Sequence, residues 1–470
     1  MPQVLSLLHT LYVMGIVLGV MILLHEFGHY AAAKYFGVRV EQFAIGFGKR
    51  LIGFRKGETD YRINILPLGG YVKMSGENPM DERTDDPGEF LNHPRWQRFV
   101  IAIAGPAMNV LLAIAILTGV YMVHYEYPAS ADGPAIVGWV DANTPAEKAG
   151  IQVGDKIVRV DDTANPTWEQ VDVKAALSPN QAMHFSIERN GSVFQKDLTP
   201  EPFGPNEYGT IGWVPKESSV ALTSVEPHMP AEQAGLRVGD QILSANGQPI
   251  PALEALVEML ARTKDQPLEI VVLRKNEGTQ NKTAGGSAPA NPAEDGQKLS
   301  FTVKPVLAPS GASGEMRYRI GIASIPTKVV ELTFPEAFRH SLEDNKKSSL
   351  LILELLRKMA QRKVSMRQVD GPIGIGSAVG AAARQEGWSP LLTLTAAISL
   401  NLGIMNLLPI PILDGGVILL LIIESLMQKD ISLAIKERIY QAAFVFLVLF
   451  AVMVIYNDIV KTLPGITHLP

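Results

Sequence analysis

Four stretches of the chain are apolar for long enough to cross a bilayer, which takes about 20 mostly hydrophobic residues in a helix. The first runs from Met1 to about Ala33; Glu26 is its one acid, and no Lys or Arg precedes Lys34. The second, Phe99 to Val123, and the fourth, Tyr440 to Tyr456, carry no charged side chain. The third, Ser389 to Ile423, carries only Asp414. At 35 residues this third stretch is too long for one straight span, and Pro409 and Pro411 each remove a backbone donor and interrupt a helix. Irregular backbone at membrane depth is tolerated only inside protein or beside a polar cavity. The pattern therefore predicts a broken helix that turns Asp414 toward the interior of a helical bundle.

Between the second and third stretches the pattern changes to short elements that repeat. Residues 145–160 read PAEKAGIQVGDKIVRV and residues 230–245 read PAEQAGLRVGDQILSA, an offset of 85. Each copy predicts a helix, a Gly turn, a Gly-Asp turn and an apolar strand. A period of this size means two tandem small domains rather than a solenoid. The Pro-Ala-x-x-Ala-Gly-[Ile/Leu]-x-x-Gly-Asp run resembles the PDZ domain, with its elements in the permuted bacterial order. PDZ domains bind extended peptides or chain ends by strand addition; whether these two grooves take a ligand or act as spacers is not set by the fold alone. Residues 278–298 are polar, rich in Gly, Ala and Pro, and read as a flexible hairpin loop within the second copy. Residues 334–360 alternate apolar and basic faces, which suits either a helix on the outer membrane surface or one packed on the core. Residues 42–76 read as four short strands, QFAIGF, RLIGF, DYRINILP and GGYVKM.

Charge sets the orientation. The first stretch lacks the basic flank that opens a signal peptide, and its positive charges follow it. Residues 34–98 hold eleven Lys and Arg, and the loop before the fourth stretch adds Lys429, Lys436 and Arg438. Both loops are then cytoplasmic, with residues 124–388 on the outer side and Trp96 and Trp388 near the interfaces. Over 470 residues the net charge is −5, with 19% charged side chains and a mean hydropathy of +0.14, as a membrane protein requires. The mild acidity and the lack of a basic cluster argue against a nucleic-acid partner. The chain has no Cys, which excludes disulfides, Cys-based metal sites and a thiol nucleophile.

The chemistry is concentrated at His25-Glu26-Phe27-Gly28-His29. Four residues of helix turn about 400°, so both imidazoles lie on one face and can hold one zinc ion. Glu26 stands beside them, free to take a proton from the attacking water. A catalytic zinc wants three protein ligands and an open position. No Cys is available and no further His follows at close spacing, so Asp414 is the candidate for the third. Ionisable groups at this depth are costly and rarely idle.

Taken together, HExxH in the first span, Asn406-x-x-Pro409-x-Pro411-x-Leu413-Asp414-Gly415 in the third, and the PDZ copies between them resemble the bacterial site-2 proteases, and Gly371-Pro372-Ile373-Gly374 matches a further family run. The resemblance covers nearly the whole chain. It implies His25, His29 and Asp414 as zinc ligands, Glu26 as general base, and Asn406 and Asn401 as groups that position the substrate backbone. Pro409, Pro411, Gly69 and Gly70 complete the expected substrate-binding set, with the strands of 42–76 as a template for the unwound substrate or, alternatively, an ordinary cytoplasmic hairpin.

The expected fold is a four-span α-helical membrane protein with a cytoplasmic-side, membrane-associated β-region and two extracytoplasmic α+β PDZ domains. Its parts are a first transmembrane helix over 1–33, the loop with strands over 34–98, a second transmembrane helix over 99–126, PDZ copies over 127–221 and 222–308, a linker with amphipathic helices over 309–388, the broken third segment over 389–427 and a fourth helix over 432–460. The resemblance implies an intramembrane zinc endoprotease of the bacterial inner membrane, with its PDZ domains in the periplasm acting as a size filter. Its substrate would be a single-span membrane protein such as an anti-sigma factor already cut by a first protease, in a regulated stress response among membrane lipids. A membrane-anchored PDZ scaffold without catalysis is the alternative, and a metal transporter is disfavoured because the spans show no symmetric repeat.

Overall fold

The computed structural model describes residues 2–77, 84, 86–128, 133–204, 206–216, 220–275, 296–310, 315–324, 327–384 and 387–462. Two units emerge, Met1–Tyr125 with Val330–Pro470, and Glu126–Val329.

The first unit is built on seven described helices and a small sheet. Helix α1 is Pro2–Phe36, strands β1 and β2 are Val40–Lys56 and Thr59–Met74, and α2 is Arg95–Val123. After the second unit come α3 (Phe334–Ala360), α4 (Pro372–Arg384), α5 (Ser389–Asn406), α6 (Asp414–Met427) and α7 (Leu433–Thr462). Along α1 the buried positions Val17, Met21, His25, Gly28, His29 and Ala33 recur at helical spacing and make one stripe. That stripe meets α2 at close range: a Cβ on Gly28 would stand 2.3 Å from the Ala104 carbonyl oxygen, so only glycine permits this crossing. On the other side of α2, Ala113 and Leu117 cluster with Ala396 and Leu400 of α5, and Gly403 lets the Pro106 carbonyl approach. Helix α2 thus lies between α1 and α5.

Among the described residues, three helical stretches are long and apolar enough to cross a membrane, Leu8–Phe36, Arg95–Val123 and Leu433–Lys461. They correspond to the first, second and fourth stretches read from sequence. The third is broken as expected, into α5 and α6 joined by residues 407–413. Within the break the Ile410 N–H donates to Leu408 O at 2.7 Å and the Leu413 N–H to Ile410 O at 3.0 Å, which keeps backbone groups paired away from water. The break folds back tightly on the start of α6: a Cβ on Gly415 would lie 2.2 Å from Leu407 O, and one on Gly416 2.3 Å from Ile410 O. Ile412 is held at φ 125°, a strained value for a β-branched residue.

Helix α3 begins at a capping box between Thr333 and Glu336. One face buries Ala337, Ser341 and Asn345, with the Ser341 and Thr118 hydroxyls 2.9 Å apart and the Tyr121 hydroxyl donating to Asp344 at 2.8 Å. Its other face leaves Phe334, Phe338, Leu342, Leu350 and Leu353 exposed.

The four short strands expected over 42–76 are present as segments of β1 and β2. Residues 42–45 are partnered by 60–63 on one side and by 70–73 on the other, and residues 52–56 pair with 59–63. Residues 70–74 therefore form an edge. The far end of the sheet exposes Leu51, Ile52, Phe54, Ile65 and Leu66.

The second unit holds two modules with separate cores, one including Ile157, Phe185, Ile187 and Trp213, the other Ile242, Leu256, Ile270 and Ile320. The 85-residue repeat is visible bond by bond. In the first, the Arg189 guanidinium donates to Asp155 at 2.6 Å and 2.7 Å and to Gly150 O at 2.8 Å. In the second, Arg274 does the same to Asp240 at 2.7 Å and 2.8 Å and to Gly235 O at 2.8 Å. Further on, the Ala146 N–H donates to Ile211 O and the Ala231 N–H to Ile320 O, so there the partners are 109 apart. The second copy is longer by the segment around 276–295, and its core extends past residue 308 for that reason. The expected loop at 278–298 falls mostly outside the described residues.

Candidate active site

The histidine-bearing stripe of α1 and the start of α6 face each other. His25 Nε2 stands 3.2 Å from one Asp414 carboxylate oxygen, His29 Nε2 3.3 Å from the other, and the two Nε2 atoms are 3.3 Å apart. Both histidines are buried. Among the described residues these three are the one group of His, Cys, Asp and Glu able to converge on a metal ion. The helix break is what delivers Asp414: it opens α6 at its first residue, so the carboxylate sits beside helix N–H groups that favour negative charge.

Helix α2 provides the floor. A Cβ on Gly105 would come within 2.3 Å of His29 Nε2 and 2.9 Å of His25 Nε2, so the absent side chain is what leaves room beside both nitrogens. Pro106 has no N–H and loosens the local helix ladder. The Ile101 carbonyl, near that point, lies 2.8 Å from His29 Nδ1. Asn109, fully buried, brings its side-chain amide to 3.2 Å from His25 Nδ1.

Glu26 reaches the sheet edge, where its Oε2 accepts the Val72 N–H at 3.0 Å, and lines the same cavity as the histidines. Gly70 keeps this approach open, since a Cβ there would be 2.9 Å from Ala44 O and 3.6 Å from Glu26 Cγ. Gly69, at φ 92°, turns the chain against the Phe47 ring. Asn406, the last residue of α5, sets its amide nitrogen 3.4 Å from His25 Nε2. Pro409 and Pro411 build the break without lining the cavity, and Asn401 is exposed on α5 and does not line it either. The cavity itself measures about 480 Å³ and runs from Glu26 and Asp414 past Tyr71 to the buried Glu424–Lys436 ion pair, whose atoms are 2.7 Å apart.

Sequence reasoning missed Gly105, Asn109 and the Ile101 carbonyl. Attention to charge passed over the second span because it has none. The available signal was Gly105-Pro106-Ala107-Met108-Asn109 itself, a helix breaker and a lone amide in an otherwise apolar stretch.

A HExxH helix meeting a half-buried aspartate across a helix break, on a chain with membrane-length helices, defines a membrane-embedded metalloprotease. Comparison with known families agrees: residues 13–450 match Peptidase family M50, and the chain belongs to this site-2 protease family. It is 30% identical to the regulator of sigma-E protease RseP of Escherichia coli K12, over 97% of this chain and 99% of that protein. The same figures hold for the RseP of Salmonella typhimurium. A Vibrio cholerae protein that bears a zinc-metalloprotease name is 31% identical over 95% of this chain and 97% of its own length.

Proposed function

We propose that the protein is a zinc endoprotease that hydrolyses a peptide bond within the membrane-spanning segment of a single-span protein. The observation that carries this is the convergence of three side chains: the two Asp414 oxygens lie 3.2 Å from His25 Nε2 and 3.3 Å from His29 Nε2 respectively, and the two Nε2 atoms are 3.3 Å apart. Ligands about 2.0 Å from a tetrahedral zinc are ~3.3 Å from one another, so the three residues fit the ion. When bound, zinc supplies a Lewis acid that polarises the scissile carbonyl and acidifies the attacking water. Glu26 takes the proton of that water and delivers it to the departing amide nitrogen. The Val72 N–H fixes the carboxylate for both tasks.

A substrate helix hides its carbonyls in its own hydrogen bonds and must be unwound before attack. The edge segment 70–74, whose Val72 N–H already faces the catalytic side, offers partners to the extended chain. Asn406, beside His25, is placed to hold the substrate backbone. In this reading α5 and α6 jointly make a fourth crossing, the sheet lies on the cytoplasmic side of the bacterial inner membrane, and the two repeated modules are periplasmic PDZ domains. The RseP relatives are named for a sigma-factor response, which supports an anti-sigma factor as substrate.

The test is Glu26→Gln in the full chain. It is expected to retain zinc and to lose cleavage of a single-span substrate, whereas Asp414→Ala loses zinc as well. A PDZ scaffold without catalysis would keep its function in Glu26→Gln, and persistent cleavage by that variant overturns the proposal.

A further inference from the structure

An imidazole that gives one nitrogen to a metal keeps its proton on the other, and that N–H needs an acceptor to hold the ring. His29 has one, since its Nδ1 lies 2.8 Å from the Ile101 carbonyl oxygen. For His25 the inward nitrogen is Nε2, which faces Asp414 and His29, so the outward nitrogen, Nδ1, is the one that carries the proton. The group that Nδ1 meets is the side-chain amide of Asn109, with the NH2 end turned toward it at 3.2 Å. Two donors cannot pair. The other end of the same amide, Oδ1, is buried without a hydrogen-bond partner.

Both defects have one remedy. The two ends of an amide have nearly the same shape, and a half-turn of the group exchanges them within the same volume. Oδ1 then stands where it accepts the Nδ1–H, and a fully buried oxygen gains the partner it lacks. We propose that Asn109 is a positioning residue of the metal centre: its side-chain carbonyl accepts the His25 Nδ1 proton and so fixes Nε2 as the nitrogen presented to the ion. This rests on the metal-centre reading above. Asn109 is itself anchored, because its backbone carbonyl accepts the Ser399 hydroxyl of α5 at 2.9 Å. Helix α2 contributes no ligand, yet it orients both histidines, His29 through a main-chain carbonyl and His25 through a side chain one turn beyond Gly105.

The experiment measures zinc affinity of the purified full chain by competition with a chromophoric chelator. Asn109→Leu, which fills the space without an acceptor, is expected to weaken zinc binding 10- to 100-fold, the usual effect of losing such a partner. Asn109→Asp offers only acceptors and is expected to hold zinc within a few-fold of the wild type. A merely structural role predicts no such rescue. Wild-type affinity in Asn109→Leu overturns the proposal, and so does a tenfold or greater loss in Asn109→Asp, because an amide that donated to Nδ1 could not be replaced by a carboxylate. If Asn109→Leu fails to fold, the Asp variant alone still decides. Failure of the metal-centre reading has a different signature: zinc binding by the wild type would then be absent or indifferent to Asp414→Ala.

Discussion

Gly105 shows how much of this site depends on what is not there. The nearest atoms to a Cβ at this position are ring atoms of the two histidines, at 2.3 Å and 2.9 Å, distances that real side chains do not tolerate. Gly105→Ala is expected to displace the rings and lower zinc affinity by an order of magnitude or more, while costing the metal-free protein only about 1–3 kcal/mol of overpacking. Chelator competition set beside thermal unfolding of the metal-free chain separates the two effects; unchanged zinc binding would mean that the rings do not define the site as described. Gly28, where α1 crosses α2, and Gly415, where the break folds back on the start of α6, make the same point. Glu26, His25 and His29 were legible as a motif because all three lie on one helix. Gly105 and Asn109 were not, because a glycine or an amide in an apolar span acquires meaning only from its neighbour.

At the scale of elements, α4 illustrates a helix held from outside. The N–H groups of Gly371, Ile373 and Gly374 at its start donate to the carboxylate of Asp458 on α7, at 2.9, 2.9 and 3.1 Å. Lys461 adds bonds to Val369 O and Asp370 at 3.1 and 2.9 Å. Helix α4 in turn packs on α1, where Gly376 meets Met14 and Gly380 meets Thr10. The Gly371-Pro372-Ile373-Gly374 run was readable as a family feature, but its partner lies 87 positions away and gives no local sign. Asp458→Ala leaves three donors without their acceptor, one buried and two part-buried, and a loss of about 1–2 kcal/mol follows because water reaches the outer two. Asp458→Asn, which keeps one acceptor oxygen, is expected to recover part of it. Denaturation in detergent checks both, and a change below about 0.5 kcal/mol in Asp458→Ala would show that the contact contributes nothing.

For the molecule as a whole, the repeat explains the second unit as one design used twice. Asp155 and Asp240 are each 1% exposed, and each accepts an arginine and a backbone N–H, from Gln152 and Arg237 respectively, at 2.9 Å. Replacing either by Ala removes a charged hydrogen-bond centre and is expected to lower the stability of its own module by on the order of 2 kcal/mol. Limited proteolysis of the two variants, read module by module, checks the symmetry. A loss in only one would mean that the copies have diverged beneath their shared sequence. The same comparison shows where sequence reading stops: the helix and Gly-Asp turn of each copy were visible at 85 residues, while the growth of the offset to 109 appears only once Ile211 and Ile320 are seen in matching bonds.

By itself the sequence determined the apolar helices, the break around Pro409 and Pro411, the repeat, and the pair of imidazoles one helical turn apart. These are consequences of periodicity and of residue type, which act over a few positions. Tertiary structure alone decided that residues 381 positions apart, Asn406 and His25, would be neighbours, that Glu26 would find the Val72 N–H, and that a span without charge would bring a carbonyl and an amide against the two histidines. The physical reason is that such contacts depend on how closely two helices approach and on which buried polar atoms still need a partner, and neither quantity exists until the helices are packed.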